Sequence, residues 1–208
     1  MKQDPYHTLA KMYDRLCEPS ANLLRKIGLQ VFPPRENLSI LDIGCGTGTQ
    51  LALYNRLGCR LFGVDTSEAM LAAAQRKLGE SAELLRQDAS SLSYPDRMFD
   101  LVTMVLVLHE MPAELRPAVL SECRRVVKAD GRILIIDFNF GPYPFPMGYI
   151  WRLVRRFFEY ISGREHYNNY LDFKKRGGLE PLISEAHFTV DKKVTSEHKV
   201  AAVYLLQA

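Results

Sequence analysis

The stretch Leu41-Asp42-Ile43-Gly44-Cys45-Gly46-Thr47-Gly48 decides the fold predicted for this chain of 208 residues. A short apolar run ends there in three closely spaced glycines, and a helical pattern follows them directly. Glycines at such a turn let the backbone bend sharply, and they let a ligand approach main-chain atoms that a Cβ would block. The stretch therefore predicts a buried strand over Ser39–Gly44 that ends in a ligand-binding loop.

On either side of this loop, strand-like apolar runs alternate with helical patterns, which predicts parallel strands joined by right-handed helical crossovers. One of the helices is predicted over Pro112–Val127, and Asp130-Gly131 is predicted to turn the chain into the next strand. The last two runs read as an antiparallel hairpin. The fold class is therefore α/β, a Rossmann-like, doubly wound and mostly parallel seven-stranded sheet that ends in an antiparallel hairpin. The seven runs are SILDIG, CRLFGVD, AELLRQD, FDLVTMVLVLH, RILIIDF, HFTVDKKVT and KVAAVYLL.

The pattern predicts one domain over residues 1–208, with an N-terminal helical segment at 1–37 and a helical insertion or lid at 141–178. Within Ile150–Arg176 there are seven basic and three acidic residues. An apolar stripe along Ile150–Ile161 predicts an amphipathic helix. Two interpretations stay open: the stripe packs on the core with its arginines in solvent, or it forms an apolar acceptor channel or a contact with a membrane surface.

Composition excludes several classes of protein. A chain that is 47% hydrophobic and 25% charged is not disordered or collagen-like, and its apolar runs are too short for a membrane-spanning helix. No apolar run follows the N-terminal lysine, so no secretory signal is predicted. The four cysteines show neither paired nor zinc-like spacing, as expected for reduced thiols, and we expect a cytoplasmic location. The net charge of +3 is too small to indicate nucleic acid.

Two acids near the glycine-rich loop narrow the class of ligand. Asp65 ends the second predicted strand, 21 residues beyond Gly44, where a carboxylate can accept both hydroxyls of a ribose. The glycine spacing is G-x-G-x-G, with Thr49 where the dinucleotide fingerprint has its third glycine. Asp42 would repel a pyrophosphate but attract an ammonium or a sulfonium. The loop therefore favours a cationic ribonucleoside over NAD.

The motif LDIGCGTG resembles the first motif of the class I S-adenosylmethionine-dependent methyltransferases. The similarity continues in family order through Gly63–Met70, Gln87–Ala89, Phe99–Val102 and Gly131–Leu134. The terminal hairpin resembles the last two strands of that family. Within it, the chain is most similar to the small-molecule group that includes the ubiquinone and menaquinone C-methyltransferases.

The resemblance implies S-adenosylmethionine as cofactor and S-adenosylhomocysteine as product. Gly44, Gly46 and Gly48 would surround its methionine and ribose portions. Asp42 would orient the methionine ammonium, directly or through water, and Asp65 would bind the ribose hydroxyls.

The same resemblance places the adenine. Thr66 and Met70 would lie against its face, although Met70 also fits a plain core position. Asp88 would accept a hydrogen bond from the adenine amino group beside the backbone of Ala89, although Asp88 could instead cap a helix. Cys45 belongs to the cofactor-binding loop as a small filler rather than as a nucleophile.

The acceptor is expected at the carboxyl ends of the fourth and fifth strands. His109 is the candidate general base there, because an unperturbed histidine titrates near neutral pH; alternatively, it contacts the cofactor or caps the loop. His109, Glu110 and Asp137 lack recognisable metal-ligand spacing, so no metal is predicted. Aromatic residues would line the acceptor pocket, and Tyr13 could also face the sulfonium. The predicted pocket residues are Tyr13, His109, Tyr143, Trp151, Tyr167 and Tyr170.

These observations favour an enzyme that transfers a methyl group to a small, apolar or aromatic acceptor by in-line displacement. The sequence lacks the Asn/Asp-Pro-Pro-aromatic tetrapeptide and the Pro-Cys nucleophile of nucleic-acid base methyltransferases, which disfavours nucleic acid as substrate. An NAD-dependent oxidoreductase and a non-catalytic S-adenosylmethionine-binding module are the alternatives. The methylated atom and the oligomeric state are left open, as is peripheral membrane contact.

Overall fold

The computed structural model describes residues 18–55 and 58–208, and their strands form one seven-stranded sheet. The strands are β1 (Ser39–Ile43), β2 (Arg60–Asp65), β3 (Ala82–Arg86), β4 (Phe99–Val105), β5 (Val127–Phe138), β6 (Thr189–Thr195) and β7 (Ala201–Gln207). Their order across the sheet is β3-β2-β1-β4-β5-β7-β6. β7 runs antiparallel to both of its neighbours, while the other pairs are parallel. The predicted fold class is confirmed, including the terminal hairpin.

Helices cover both faces of this sheet, as a parallel sheet requires. Ser67 caps the start of the third helix, because its Oγ accepts a hydrogen bond from the Met70 N–H at 3.2 Å. The helices are α1 (Glu18–Val31), α2 (Thr49–Asn55), α3 (Glu68–Leu78), α4 (Arg116–Val126), α5 (Met147–Ile161), α6 (Arg164–Lys175) and α7 (Leu179–Glu185). Among the described residues, none of these helices has both the length and the apolar character needed to cross a bilayer.

The core lies in two layers, because successive side chains of a strand point to opposite faces. Leu134 and Ile136 of β5 face the layer that holds Leu24 of α1. Ile133 and Ile135 face the layer of α4 and α7. The central strands are buried on both faces, which explains their continuous apolar runs.

Several predicted element boundaries were wrong: β4, for example, ends at Val105, four residues before the end of the run FDLVTMVLVLH. The helix expected over Pro112–Val127 begins only at Arg116, because Pro112 to Leu115 form a separate turn in which the Leu115 N–H donates to the Pro112 carbonyl. Asp130-Gly131 does not precede β5 but lies within it, in an irregularity where the pairing with β4 shifts register. Lys128 stabilises this irregularity by an ion pair with Asp100 at 2.6 Å.

The helix α5 does not pack its apolar stripe on the core. Its charged side faces inward, and its apolar side faces outward. Its charged residues Arg155 and Glu159 are only 7% and 6% exposed, whereas Leu153 and Phe157 are 61% and 60% exposed. The interpretation in which the stripe packs inward with its arginines in solvent was therefore wrong for Arg155. The physical reason is that the inner face of α5 contacts aromatic rings and histidines. These groups accommodate a guanidinium and a carboxylate better than alkyl groups would.

Candidate active site

A cavity of about 730 Å³ opens at the carboxyl ends of β1, β2 and β4. Ligands bind at this edge in open α/β sheets, and the volume is that of a small-molecule site. One end of the cavity is formed by the glycine-rich loop and the other by the start of α4 and the beginning of α6. The residues that line the cavity include Arg25, Gly44, Cys45, Gly46, Asp65, Thr66, Met70, Asp88, Ala89, Val107, Glu110, Met111, Pro112, Leu115, Val119, His166 and Asn169.

Asp65 holds the glycine-rich loop against the end of β2. One of its carboxylate oxygens accepts from the Gly46 N–H at 2.9 Å, and the other accepts from the Ser67 N–H at 2.9 Å. Gly44 has a φ of +64°, and a Cβ there would lie 2.7 Å from a methyl group of Val107. Both the left-handed backbone and the close approach therefore require glycine at this position.

Leu106 lies on the wall of the cavity and has an unusual backbone conformation. Its φ is +59°, a left-handed value that costs a non-glycine residue about 1–2 kcal/mol. The Leu106 N–H donates to the Ile136 carbonyl at 2.7 Å, which holds this conformation directly after β4. Strain of this kind is concentrated at functional sites.

Asp42 lies behind the loop and is buried. Burial raises the pKa of its carboxyl group to about 7, although a hydrogen bond from Thr103 and the positive charge of Arg25 oppose that shift. The Thr103 hydroxyl donates to the Asp42 carboxylate at 2.5 Å. A cation arriving nearby would favour the ionised form of this carboxyl group.

Eight of the ten residues predicted to bind the cofactor line the cavity: Gly44, Cys45, Gly46, Asp65, Thr66, Met70, Asp88 and Ala89. Asp42 and Gly48 are not on the wall. Gly48 instead packs closely against α3, where a Cβ would lie 2.8 Å from Leu78.

Arg25 of α1 also lines the cavity, close enough to Asp42 to lower the pKa of its carboxyl group. Arg25 was not predicted as a site residue. Arg25 lies on a helix that precedes the motifs, so no spacing within those motifs could have placed it at the cavity.

His109 was predicted as a general base, but it does not line the cavity. Its side chain is buried, and its Nδ1 donates to the Asp137 carboxylate at 2.7 Å. Burial alone would lower the pKa of His109, but the negative charges of Asp137, Glu159 and Glu110 outweigh burial and raise it to about 9. An imidazole with such a pKa is protonated at neutral pH, which does not suit a general base.

Two residues of the predicted insertion join His109 at this place. The Nε2 of His166 donates to the Glu159 carboxylate at 2.6 Å, and the same carboxylate lies 3.6 Å from Nε2 of His109. His166 and Glu110 line the cavity, so this polar group reaches its wall. The sequence analysis missed Glu159 and His166 as site residues, because they lie some 50 residues from His109 in the chain.

The structure places the other predicted acceptor-pocket residues away from the cavity wall. Trp151 stacks on His198, with ring centroids 6.2 Å apart, and Tyr143 donates a hydrogen bond to the Asn139 carbonyl. Tyr167 stacks on the buried Tyr170. None of these four lines the cavity. Tyr13 lies outside the described residues.

Arg116 fixes α6 to the loop that follows β4. Its guanidinium is buried and donates to the carbonyls of Leu108 and Asn169, both at 3.0 Å, and to the Asp172 carboxylate at 2.9 Å. Each of these partners would lose its buried donor if Arg116 were replaced by an apolar residue. Arg116 therefore positions the wall of the cavity without lining it.

Comparison with known proteins agrees with this geometry. Residues 41–135 match a family model described as a methyltransferase domain. A demethylmenaquinone methyltransferase of Clavibacter sepedonicus is 32% identical over 145 residues, which are 67% of this chain and 58% of that protein. A phosphatidylethanolamine N-methyltransferase of Cereibacter sphaeroides is 32% identical over 123 residues, which are 57% of this chain and 59% of that protein.

The fold agrees with a solved structure described as a SAM dependent methyltransferase from Aquifex aeolicus. The TM-score is 0.67 at 20% sequence identity, and the match covers 99% of this chain and 98% of that one. The chain spans less than two thirds of the length of the two curated relatives.

The fold and the glycine-rich loop together are those of the class I methyltransferase fold. The match over residues 41–135 and the demethylmenaquinone methyltransferases among the relatives confirm the predicted resemblance to the class I S-adenosylmethionine-dependent methyltransferases. The cofactor of this class is S-adenosylmethionine, as the sequence predicted.

Proposed function

We propose that this protein transfers a methyl group from S-adenosylmethionine to a small, apolar or aromatic acceptor by in-line displacement. The observation that carries the proposal is the continuity of the cavity. One space joins the glycine-rich loop to a second region, whose wall is apolar on the side of β4 and α4 and polar on the side of α6. The apolar residues of that second region are Val107, Met111, Pro112, Leu115 and Val119.

The cofactor end of the cavity offers complementary charges to a zwitterionic amino acid. Asp42 and Arg25 influence each other electrostatically, and Arg25 lines the cavity. In our proposal the Asp42 carboxylate attracts the methionine ammonium, directly or through water, while the Arg25 guanidinium attracts the methionine carboxylate. In our proposal Asp65 also accepts from the ribose hydroxyls, because each oxygen of an ionised carboxylate can accept more than one hydrogen bond.

The adenine would lie at the outer end of the same groove. Thr66, Met70 and Ala89 line it there and offer a mostly apolar surface to a planar base. Asp88 is exposed and accepts from the backbone N–H and the hydroxyl of Ser90 through one oxygen. Its other oxygen is available for the adenine amino group in this proposal.

Transfer of a methyl group from a sulfonium needs orientation more than acid–base chemistry. Holding the nucleophile and the methyl carbon collinear in a dry pocket supplies most of the acceleration expected for such a step. The acceptor atom would bond to the methyl carbon as the carbon–sulfur bond breaks and leaves a neutral thioether. The positive charge would pass to the acceptor, which releases a proton to solvent where it carries one. His109 then has a positioning role through Asp137 and Glu159 rather than the role of a base.

Two observations support the proposed class of acceptor: the apolar residues of the cavity wall and the names of two relatives. Two relatives are named for demethylmenaquinone and phosphatidylethanolamine. A lipid-soluble aromatic acceptor would suit the walls formed by Val107, Met111 and Leu115.

We further propose that the outer face of α5 contacts an anionic membrane surface, from which such an acceptor would come. The exposed apolar residues on or beside this helix form one surface, the α5 face, which comprises Phe145, Met147, Tyr149, Ile150, Trp151, Leu153, Phe157, Tyr160 and Ile161. Arg152 and Arg156 flank it, and the one acid of α5, Glu159, is buried. An amphipathic helix with aromatic groups on one side and flanking arginines binds in the interface of anionic bilayers.

Thermal stabilisation by cofactors separates the proposed function from its alternatives. S-adenosylhomocysteine is expected to raise the melting temperature and NAD is not, because Asp42 and the glycine spacing disfavour a pyrophosphate. Asp65→Ala should weaken S-adenosylhomocysteine binding by about 1–3 kcal/mol, the cost of losing hydrogen bonds to a charged group. Asp96→Ala, an exposed carboxylate paired with Arg125, is the matched control and should bind as the wild type does.

Stabilisation by NAD alone would contradict the proposal. Cofactor binding without any S-adenosylhomocysteine formed from S-adenosylmethionine, across quinone, phenol and phospholipid acceptors, would favour the non-catalytic module. An unchanged dissociation constant in Asp65→Ala would contradict the ribose role of that carboxylate.

The affinity for S-adenosylmethionine should depend on pH through Asp42. A carboxyl group with a pKa of about 7 is roughly one tenth ionised at pH 6 and roughly three quarters ionised at pH 7.5. Because the ionised form attracts the ammonium, the dissociation constant measured by calorimetry should fall about eight-fold over this range. Asp42→Asn should remove this dependence, and Asp130→Asn, an exposed position, should keep it. A wild-type affinity independent of pH would contradict the role of Asp42.

Membrane contact is tested by sedimentation with vesicles. Wild-type protein should sediment with phosphatidylglycerol vesicles, and this binding should weaken with salt and be poor with phosphatidylcholine alone. The double variant Leu153→Asp/Phe157→Asp should bind at least ten-fold more weakly. Val190→Asp, an exposed apolar position on β6, is the control. Absence of vesicle binding would contradict the proposal, as would self-association that the double variant abolishes, since a second copy would then cover the α5 face.

A further inference from the structure

Three side chains that are distant in the chain meet beside the cavity, and we call them the His–Glu cluster: His109 after β4, Glu159 on α5 and His166 on α6. Each offers one ligand atom, and these atoms all lie within 4.8 Å of one another. His109 and Glu159 are buried, and His166 is partly buried. Two imidazoles and a carboxylate that converge in this way form a ligand set typical of divalent transition metals.

The orientation of His109 is the second observation. Its Nδ1 is held by the Asp137 carboxylate at 2.7 Å, and that carboxylate also accepts from the backbone N–H groups of His109 and Phe138. The other ring nitrogen, Nε2, therefore faces Glu159 at 3.6 Å and Glu110 at 3.8 Å. A carboxylate behind a histidine is the arrangement that orients metal-ligating imidazoles and makes them better ligands.

The charge of the surroundings also favours a cation. Asp137, Glu159 and Glu110 each lie within 4 Å of an imidazole nitrogen of His109, and Glu110 also lies 3.9 Å from Nδ1 of His166. These carboxylates surround the two imidazoles with negative charge, which a proton on His109 offsets when no ion is bound, and a metal ion would displace that proton. A divalent cation would compensate the negative charge at the point where the ligand atoms converge.

We propose that the His–Glu cluster binds one divalent transition-metal ion of the Zn²⁺, Co²⁺ or Mn²⁺ class through His109, Glu159 and His166, with Asp137 orienting His109. Ligand atoms of a four-coordinate ion with bonds of about 2.0–2.1 Å are about 3.3 Å apart. The His109–Glu159 distance of 3.6 Å is already close to this, and the 2.6 Å between Glu159 and His166 must widen by less than 1 Å.

The proposed metal site lies at the wall of the cavity. His166 and Glu110 line the cavity, so a bound ion would have an open side toward the acceptor region. No metal was predicted from the sequence, because Glu159 and His166 lie in the segment 141–178 and show no ligand spacing with His109. Binding of the ion does not depend on the proposed methyl transfer, and its test needs neither cofactor nor acceptor.

Cobalt and manganese titrations of the chelator-treated protein test the proposal. We expect one equivalent of Co²⁺ to produce visible absorption bands of a nitrogen- and oxygen-ligated ion, without the near-ultraviolet band of cobalt–thiolate bonds. Mn²⁺ should lose its free-ion electron paramagnetic resonance signal with the same stoichiometry. Glu159→Gln and His166→Ala should each weaken binding at least ten-fold, and Asp137→Asn should weaken it by about 10–100-fold through the orientation of His109.

Matched controls separate this site from the other histidines and carboxylates. His187→Asn, at an exposed turn before β6 with a left-handed backbone that asparagine tolerates, should bind as the wild type does. Glu165→Gln, an exposed neighbour of His166, should do the same. Circular dichroism establishes that each variant is folded, and Glu159→Asp replaces Glu159→Gln if the latter is not. A wild-type protein that binds neither ion at one equivalent overturns the proposal, as does equal affinity in the site variants and the controls.

Discussion

The buried carboxylate of Glu159 is the constraint on which the acceptor side of this protein depends. A carboxylate that is 6% exposed must be compensated by partners, and His166 and His109 are those partners at 2.6 and 3.6 Å. These contacts join α5 and α6 to the loop after β4. Because Glu159 points inward, the apolar side of α5 must point outward. The interaction of Glu159 with the two histidines therefore has two consequences. It places His166 at the cavity wall, and it leaves the apolar side of α5 exposed.

The two halves of the site are stabilised in different ways. The cofactor half is built from local geometry, in which left-handed glycines and the two hydrogen bonds of Asp65 fix the loop. The acceptor half is built from long-range contacts, in which Arg116 and the His–Glu cluster attach α6 to the sheet. Loops that depend on local geometry tolerate different neighbours.

This division explains how much could be predicted from the sequence. The alternation of apolar runs and helical patterns is a local feature, and it predicted the sheet and the hairpin. The motifs are local too, and the family resemblance that they carry implied eight residues that lie on the cavity wall. Arg25 was missed because a helix outside the motifs brings it to the cavity. The orientation of α5 was missed because hydrophobic periodicity identifies an apolar face but not the side on which it packs. Residues such as Arg155 and Glu159, which lie off an apolar stripe, are usually solvated, and only their aromatic and histidine partners make burial favourable.

The most direct test of this account is the environment of Trp151, which is the only tryptophan in the chain and lies on the α5 face. The residue is 40% exposed, so its fluorescence should be quenched readily by acrylamide. The measurement is made on dilute protein without lipid. Blue-shifted emission with strong protection from acrylamide would mean that the apolar face packs inward. That result would contradict the burial of Glu159 and, with it, the proposed acceptor side.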